Sequence, residues 1–170
     1  TGFGDLVVTE VMRDSTLPAP DVGEWVELHN PGPEAIDLRG CHLGDDMGVI
    51  GGLVPVVVPP GGYAVIAVTA QPGLNGGLQA DAVVTSLSLG NVSDVIAVTC
   101  AAGVIDDLSY TLGWPGGMGR AIQLSAGLLS SEEPALLNDA PSSWCAASLP
   151  YGALENFGTP GSPNEACPAE

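Results

Sequence analysis

Across 170 residues the chain has no lysine, three arginines and 20 Asp plus Glu, a formal net charge of −17 at pH 7. Phosphate backbones and anionic lipid are held by Lys/Arg neutralisation, so nucleic acid and membrane are poor partners, while divalent cations, basic proteins and neutral glycans stay open. Hydrophobic residues make up 45% of the chain, enough for a core, which separates it from charged disordered segments and places the charge on the surface.

In chain order, short β-runs are expected over 5–13, 24–30, 35–43, 54–58, 63–68, 83–87, 94–100, 104–110 and 121–124. Each is rich in β-branched or apolar residues and bounded by Gly, Pro, Asn or Asp. Pro59-Pro60-Gly61-Gly62 and the run from Gly73 to Gly77 are strong turn punctuation. No βαβ alternation appears, so the reading is an all-β sandwich. One or two helical turns are expected at Ser131-Glu132-Glu133-Pro134-Ala135-Leu136-Leu137, capped by Ser131 and limited by Pro134.

The segment from Trp144 onward is too rich in Gly and Pro for helix and has little to bury, so an ordered coil is expected there. Cys145 and Cys167 bracket that coil and are placed to pin it. The length suits a single domain over 1–170, with 144–170 as the pinned tail. No apolar run approaches ~18 residues, so no membrane-spanning helix is expected. No basic-then-apolar leader precedes the first strand, which fits a mature or excised domain. An even cysteine count without Cys-x-x-Cys favours disulfides and an oxidising compartment over zinc or redox chemistry.

Several of these segments together resemble a known family. Gly4-Asp5-Leu6-Val7-Val8-Thr9-Glu10-Val11-Met12, Gly23-Glu24-Trp25-Val26-Glu27-Leu28-His29-Asn30-Pro31 and Ile36-Asp37-Leu38-Arg39-Gly40-Cys41-His42-Leu43 follow one another in order. Val57-Val58-Pro59-Pro60-Gly61-Gly62-Tyr63, Ser86-Leu87-Ser88-Leu89, Val104-Ile105-Asp106 and Gly158-Thr159-Pro160-Gly161-Ser162-Pro163-Asn164 complete the pattern. The combination resembles the lamin tail domain family in its bacterial, extracellular form. The resemblance implies an immunoglobulin-like β-sandwich, secreted or displayed at the cell surface. Cys41 stands where many members carry tryptophan, which implies a disulfide replacing part of the indole's packing. Four cysteines allow three connectivities. The resemblance, taken with strand position, implies Cys41–Cys100 and Cys145–Cys167, each contributing ~2–4 kcal/mol by restricting the unfolded chain.

Calcium is the sharpest chemical expectation. Glu10 and Asp14 flank the end of the first strand and Asp21 and Glu24 the start of the second, so a hairpin would bring these oxygens together. Asp45-Asp46 and Asp106-Asp107 are further candidates. None fits the Asp-x-Asp-x-Asp-Gly loop, and a solvated acidic surface is the plainer reading. Period-two alternation puts Glu24 on the face of Val26 and Leu28, with Trp25 and Glu27 opposite. It also puts Glu10 on the face of Leu6, Val8 and Met12. Carboxylates on an apolar face must be metal-bound, at a rim, or accepting backbone N–H bonds.

Catalytic patterns are lacking. His29 and His42 lie in strands away from any nucleophile motif, Glu132-Glu133 are mere sequence neighbours, and the loop from Gly113 to Gly119 lacks the Lys-Ser/Thr of a phosphate loop. Trp144 is expected in the core or at its rim, Trp114 as an exposed binding anchor, and Trp25 in either role. Asn91-Val92-Ser93 matches a glycosylation sequon, a short pattern that recurs by chance. Two functions remain. One is a non-enzymatic extracellular module for adhesion, display or assembly, with self-association through edge strands such as 5–13. The other is a calcium-dependent module binding a glycan or protein.

Overall fold

A computed structural model describes residues 2–16, 20–45, 48–53, 55–131, 133–152 and 155–168. The strands are β1 Val7–Met12, β2 Trp25–His29, β3 Ile36–Asp37, β4 His42–Asp45, β5 Gly48–Gly52, β6 Val57–Val58 and β7 Tyr63–Ala67. They continue as β8 Ala82–Val83, β9 Asp94–Cys100, β10 Gly103–Tyr110, β11 Ile122–Leu124, β12 Trp144–Ala146, β13 Pro150–Tyr151 and β14 Asn156–Phe157. Two single-turn helices, α1 Pro72–Asn75 and α2 Pro134–Leu137, interrupt them.

A six-stranded sheet in the order β12-β11-β1-β2-β7-β8 packs against a four-stranded sheet, β10-β9-β4-β5. The result is an immunoglobulin-like sandwich. Its main core comes from the inner faces of both sheets, including Val8, Val11, Val26, Leu28 and Ile66 from one and Leu43, Ile96, Val98 and Leu108 from the other. A smaller cluster lies on the outer face of the six-stranded sheet, where Met12, Trp25, Val65 and Ala121 pack with Tyr151 and Phe157 of the tail. Both faces of this sheet are therefore covered, and β1 and β2 are buried along their whole lengths.

Two disulfides tie the fold. His42 pairs with Thr99, so Cys41 and Cys100 face each other across neighbouring strands of the four-stranded sheet, where they are bonded. Cys145 of β12 is bonded to Cys167 and fastens the irregular tail to the sheet edge.

Several expectations are corrected. The run 35–43 is two strands, because the chain turns at Leu38–Cys41 with Cys41 N–H donating to Leu38 O. The glycine-rich β5 is absent from the expected runs, yet it pairs with β4. The run 83–87 keeps its strand only at β8. The tail is not all coil: β12 extends the larger sheet and β13 pairs with β14. The helix at 131–137 is the single turn α2, and the Ser131 hydroxyl donates to Leu128 O instead of capping it. The first strand is central, between β11 and β2, so it offers no edge for association; the sheet edges are β12, β8, β10 and β5. Val54, Asp46 and Glu132, named in the sequence reading, lie outside the described residues.

Candidate functional site

The four carboxylates expected to share an ion divide between opposite faces of the larger sheet. A β-bulge causes the division. Val8 pairs with Leu28 and Glu10 with Glu27, leaving Thr9 as the extra residue on β1. A bulge of this kind puts both of its residues on the side of the one opposite them. Val8 and Val11 thus both face the core, while Glu10 and Met12 face outward with Trp25 and Glu27. The alternation that put Glu10 with Leu6 and Val8 fails at Thr9.

On that outer face the tail closes over Glu10 and Glu27. Thr159 N–H donates to both Glu10 oxygens, 3.0 Å from each. Thr159 Oγ1 lies 3.1 Å from Glu10 Oε2 and 3.1 Å from Asn164 Oδ1. The hydroxyl has one proton: with Glu10 protonated, Thr159 Oγ1 accepts from the carboxyl and donates to Asn164 Oδ1. Asn164 Nδ2 donates to Thr9 O at 2.8 Å and to Leu124 O at 2.9 Å. Glu27 accepts from Thr9 Oγ1 at 2.8 Å and from Gly161 N–H at 2.7 Å. Gly161 has φ of 77°, a conformation that glycine adopts without strain. A Cβ at Gly158 would stand 2.9 Å from Glu10 Oε1 and 3.1 Å from Trp25 Cζ2, so the tail can approach this closely only as glycine.

Burial pushes the Glu10 carboxyl up to about 8, although the Thr159 bonds pull it down and Glu165 adds a smaller upward push. Glu27 is also raised well above the usual carboxylate range, first by burial and then by Glu10 beside it. Neither is a free ligand. This clasp is only partly legible in the sequence: the run from Gly158 to Asn164 stands out as a motif, but nothing in it ties Thr159 and Asn164 to Glu10 or Gly161 to Glu27.

Glu24 sits at the other end of the β1–β2 hairpin from Asn30, facing inward, where its Oε2 accepts Leu89 N–H at 2.8 Å. Burial raises its carboxyl to about 8, with added push from Asp21, Asp94 and Asp14. Asp21, Asp94 and Asp14 are thus each close enough to act on Glu24, and Glu10 is left out. Asp94 is already engaged, accepting Gly90 N–H at 2.7 Å and Val95 N–H at 2.8 Å. Of the Asp106-Asp107 pair, Asp106 is buried and accepts Val8 N–H at 2.6 Å and Asn138 Nδ2 at 2.7 Å, while Asp107 points to solvent. Among the described residues no group of three or more His, Cys, Asp and Glu is arranged to hold a metal ion.

Trp114 is not the exposed anchor that was expected. It is 8% exposed and packs on Trp144 with ring centroids 5.9 Å apart. Its loop turns the indole inward and leaves Leu112 and Met118 outside, at 84% and 71% exposure. Trp144 Nε1 donates to Asn138 O at 2.6 Å, and Trp25, fully buried, donates from Nε1 to Tyr151 Oη at 2.9 Å. All three indoles are structural.

A tied immunoglobulin-like sandwich whose buried carboxylates accept backbone N–H bonds and whose indoles fill cores has the build of a structural or interaction module. A model of the lamin tail domain matches residues 1–112, and the chain belongs to that family. The match ends just past β10, so β11 and the clasping tail lie beyond it. No curated protein and no solved structure matches the chain.

Proposed function

We propose that the chain is a rigid, non-enzymatic recognition module working outside the cell, in adhesion, display or assembly. The observation that carries this is the pair of disulfides, with no free cysteine among the described residues. Disulfides persist in oxidising compartments and are rare in reducing ones. The family's non-catalytic, interaction-type fold supports the same reading. The test is rapid maleimide trapping of protein taken from its native cells, followed by intact-mass measurement. Unlabelled protein is expected, and addition of four labels overturns the extracellular assignment.

Calcium-dependent association is the competing reading: the acidic end of the hairpin, where Asp21, Asp94 and Asp14 push the Glu24 carboxyl up, would be bridged by an ion to a partner's oxygens, since among the described residues no three such groups form a site within one chain. Sedimentation velocity in calcium and in EDTA separates the two. Identical monomers in both buffers support the ion-independent module, and growth only in calcium favours the ion-bridged one.

A further inference from the structure

The end of the sandwich around Asn30 holds two adjoining cavities, of about 300 and 430 Å³. They share Gly4, Asp5 and Pro134 and so form one groove. Its walls are the segment from Phe3 to Asp5, the turn from Asn30 to Glu34, and the start of α2. Ile36, Pro134 and Ala135 form a buried apolar floor, while Phe3 and Leu136 are 52% and 50% exposed at the sides. Among the described residues three charged ones line it, Asp5, Glu34 and Glu133, and all are acidic.

The walls are fixed in advance. Asn30 is fully buried and its side chain organises the turn: Nδ2 donates to Glu34 O at 2.8 Å and to Val58 O at 3.0 Å, while Oδ1 accepts Gly32 N–H at 3.0 Å. On the opposite wall Gly4 N–H donates to Ile105 O of β10 at 2.7 Å. A groove that needs no ordering on binding loses less of its affinity to entropy.

We infer that this groove docks a basic protein segment, seating an apolar side chain on the Ile36–Ala135 floor with flanking lysines or arginines against Asp5, Glu34 and Glu133. The inference rests on the recognition-module reading and names its partner's chemistry. Charge selects the occupant. A second copy of this chain carries −17 and has Arg39 and Arg120 as its exposed arginines, so copies repel at this acidic end. Phosphate-bearing ligands are repelled in the same way. A glycan calls for exposed indole or phenol faces, and no tryptophan or tyrosine is among the described residues that line the groove. A cationic peptide with an apolar anchor complements both the floor and the rim.

The test is fluorescence anisotropy with a fluorescein-labelled Gly-Lys-Leu-Lys-Leu-Lys-Gly peptide and the oxidised protein, at 50 and 300 mM NaCl. Its partner is a Glu-for-Lys version of the same peptide. Saturable binding of the basic peptide alone is expected, weakened at the higher salt. Glu34→Lys with Glu133→Lys is expected to weaken it at least tenfold. Asp81→Lys with Glu155→Lys, which makes the same charge change outside the groove, is expected to weaken it less than threefold. All four positions are exposed, and circular dichroism melting checks that each variant is folded. Equal loss in the two variants overturns the groove, because it means that diffuse charge alone attracts the peptide. Binding of the acidic peptide, or absence of binding at 1 mM basic peptide, overturns the occupant. Since this assay is indifferent to cellular location, the groove can fail while the trapping experiment still finds both disulfides, and the reverse.

Discussion

Thr159 and Glu10, 149 positions apart, are joined by a backbone N–H that both carboxyl oxygens accept at 3.0 Å. Removing the carboxyl strands that N–H in a buried site, which costs about 1–3 kcal/mol beyond the lost packing. Glu10→Ala is therefore expected to destabilise the fold by about 2–4 kcal/mol in urea unfolding. Glu10→Gln keeps an acceptor and resembles the neutral acid, so at pH 6 it is expected to lie within ~1 kcal/mol of the parent. Thr159→Val, which removes only the hydroxyl, falls between them.

The same burial predicts an unusual pH dependence. Glu10 has an ordinary value of 4.5 and is held up to about 8 in the fold. Between these values the unfolded chain has lost a proton that the folded chain keeps, so stability falls as pH rises. Glu24, up to about 8, and Asp106, up to about 7, act in the same direction, both mainly through burial. Glu165, held low by Ser148, acts oppositely, and its contribution is lost only as the pH falls below the ordinary carboxylate range. The melting temperature is expected to be highest near pH 5 and to decline to about pH 8, with a shallower decline in Glu10→Gln. A melting temperature that climbs from pH 5 to pH 8 contradicts the buried-carboxyl account.

The two disulfides should separate in their effects. Cys41 and Cys100 are 59 positions apart and Cys145 and Cys167 are 22 apart. Loop-closure entropy gives about 4 kcal/mol for the longer loop and about 3 kcal/mol for the shorter. Replacing Cys145 and Cys167 by Ser is expected to lower the urea midpoint and expose Trp25 as the tail loosens. The Cys41 and Cys100 double replacement is expected to lower it further, with the tail still in place until global unfolding.

Trp114 gives a direct optical check. With all three indoles buried, tryptophan emission of the folded protein is expected to resist acrylamide and to become quenchable only on unfolding. Trp114→Ala leaves a cavity beside Trp144 and is expected to cost about 3–5 kcal/mol. A surface anchor would be readily quenched and would cost almost nothing to remove.

What the sequence could disclose follows from the physics of each signal. Alternation of apolar residues exposed β1, β2, β7, β9 and β10, because their inner faces pack on a common core. The bulge at Thr9 was hidden, since one extra residue inverts the faces beyond it without altering composition. Its trace is the spacing of Val8 and Val11, three apart yet both facing inward. Strand β5 was missed because its glycines carry no pattern, and β12 because the Gly/Pro content of the tail masks a pairing supplied by β11. Trp114 was misplaced because a Gly/Pro loop signals a turn but does not say which way its indole points. The acidic groove could not be read at all: Asp5, Glu34 and Glu133 are distant in sequence and meet only through the fold.

The central place of β1 has a consequence for synthesis. One flank of this first strand is β11, and its outer face is closed by Thr159, Gly161 and Asn164. A growing chain therefore keeps β1 unpaired on one side, with Glu10 hydrated and ionised, until residues beyond 160 have emerged. Closing loops of that span is entropically slow, and nothing local stands in for them. The β1–β2 pair is thus expected to gain full protection from hydrogen exchange only after the segment from Thr159 to Asn164 has closed over it, at a rate set by those long loops.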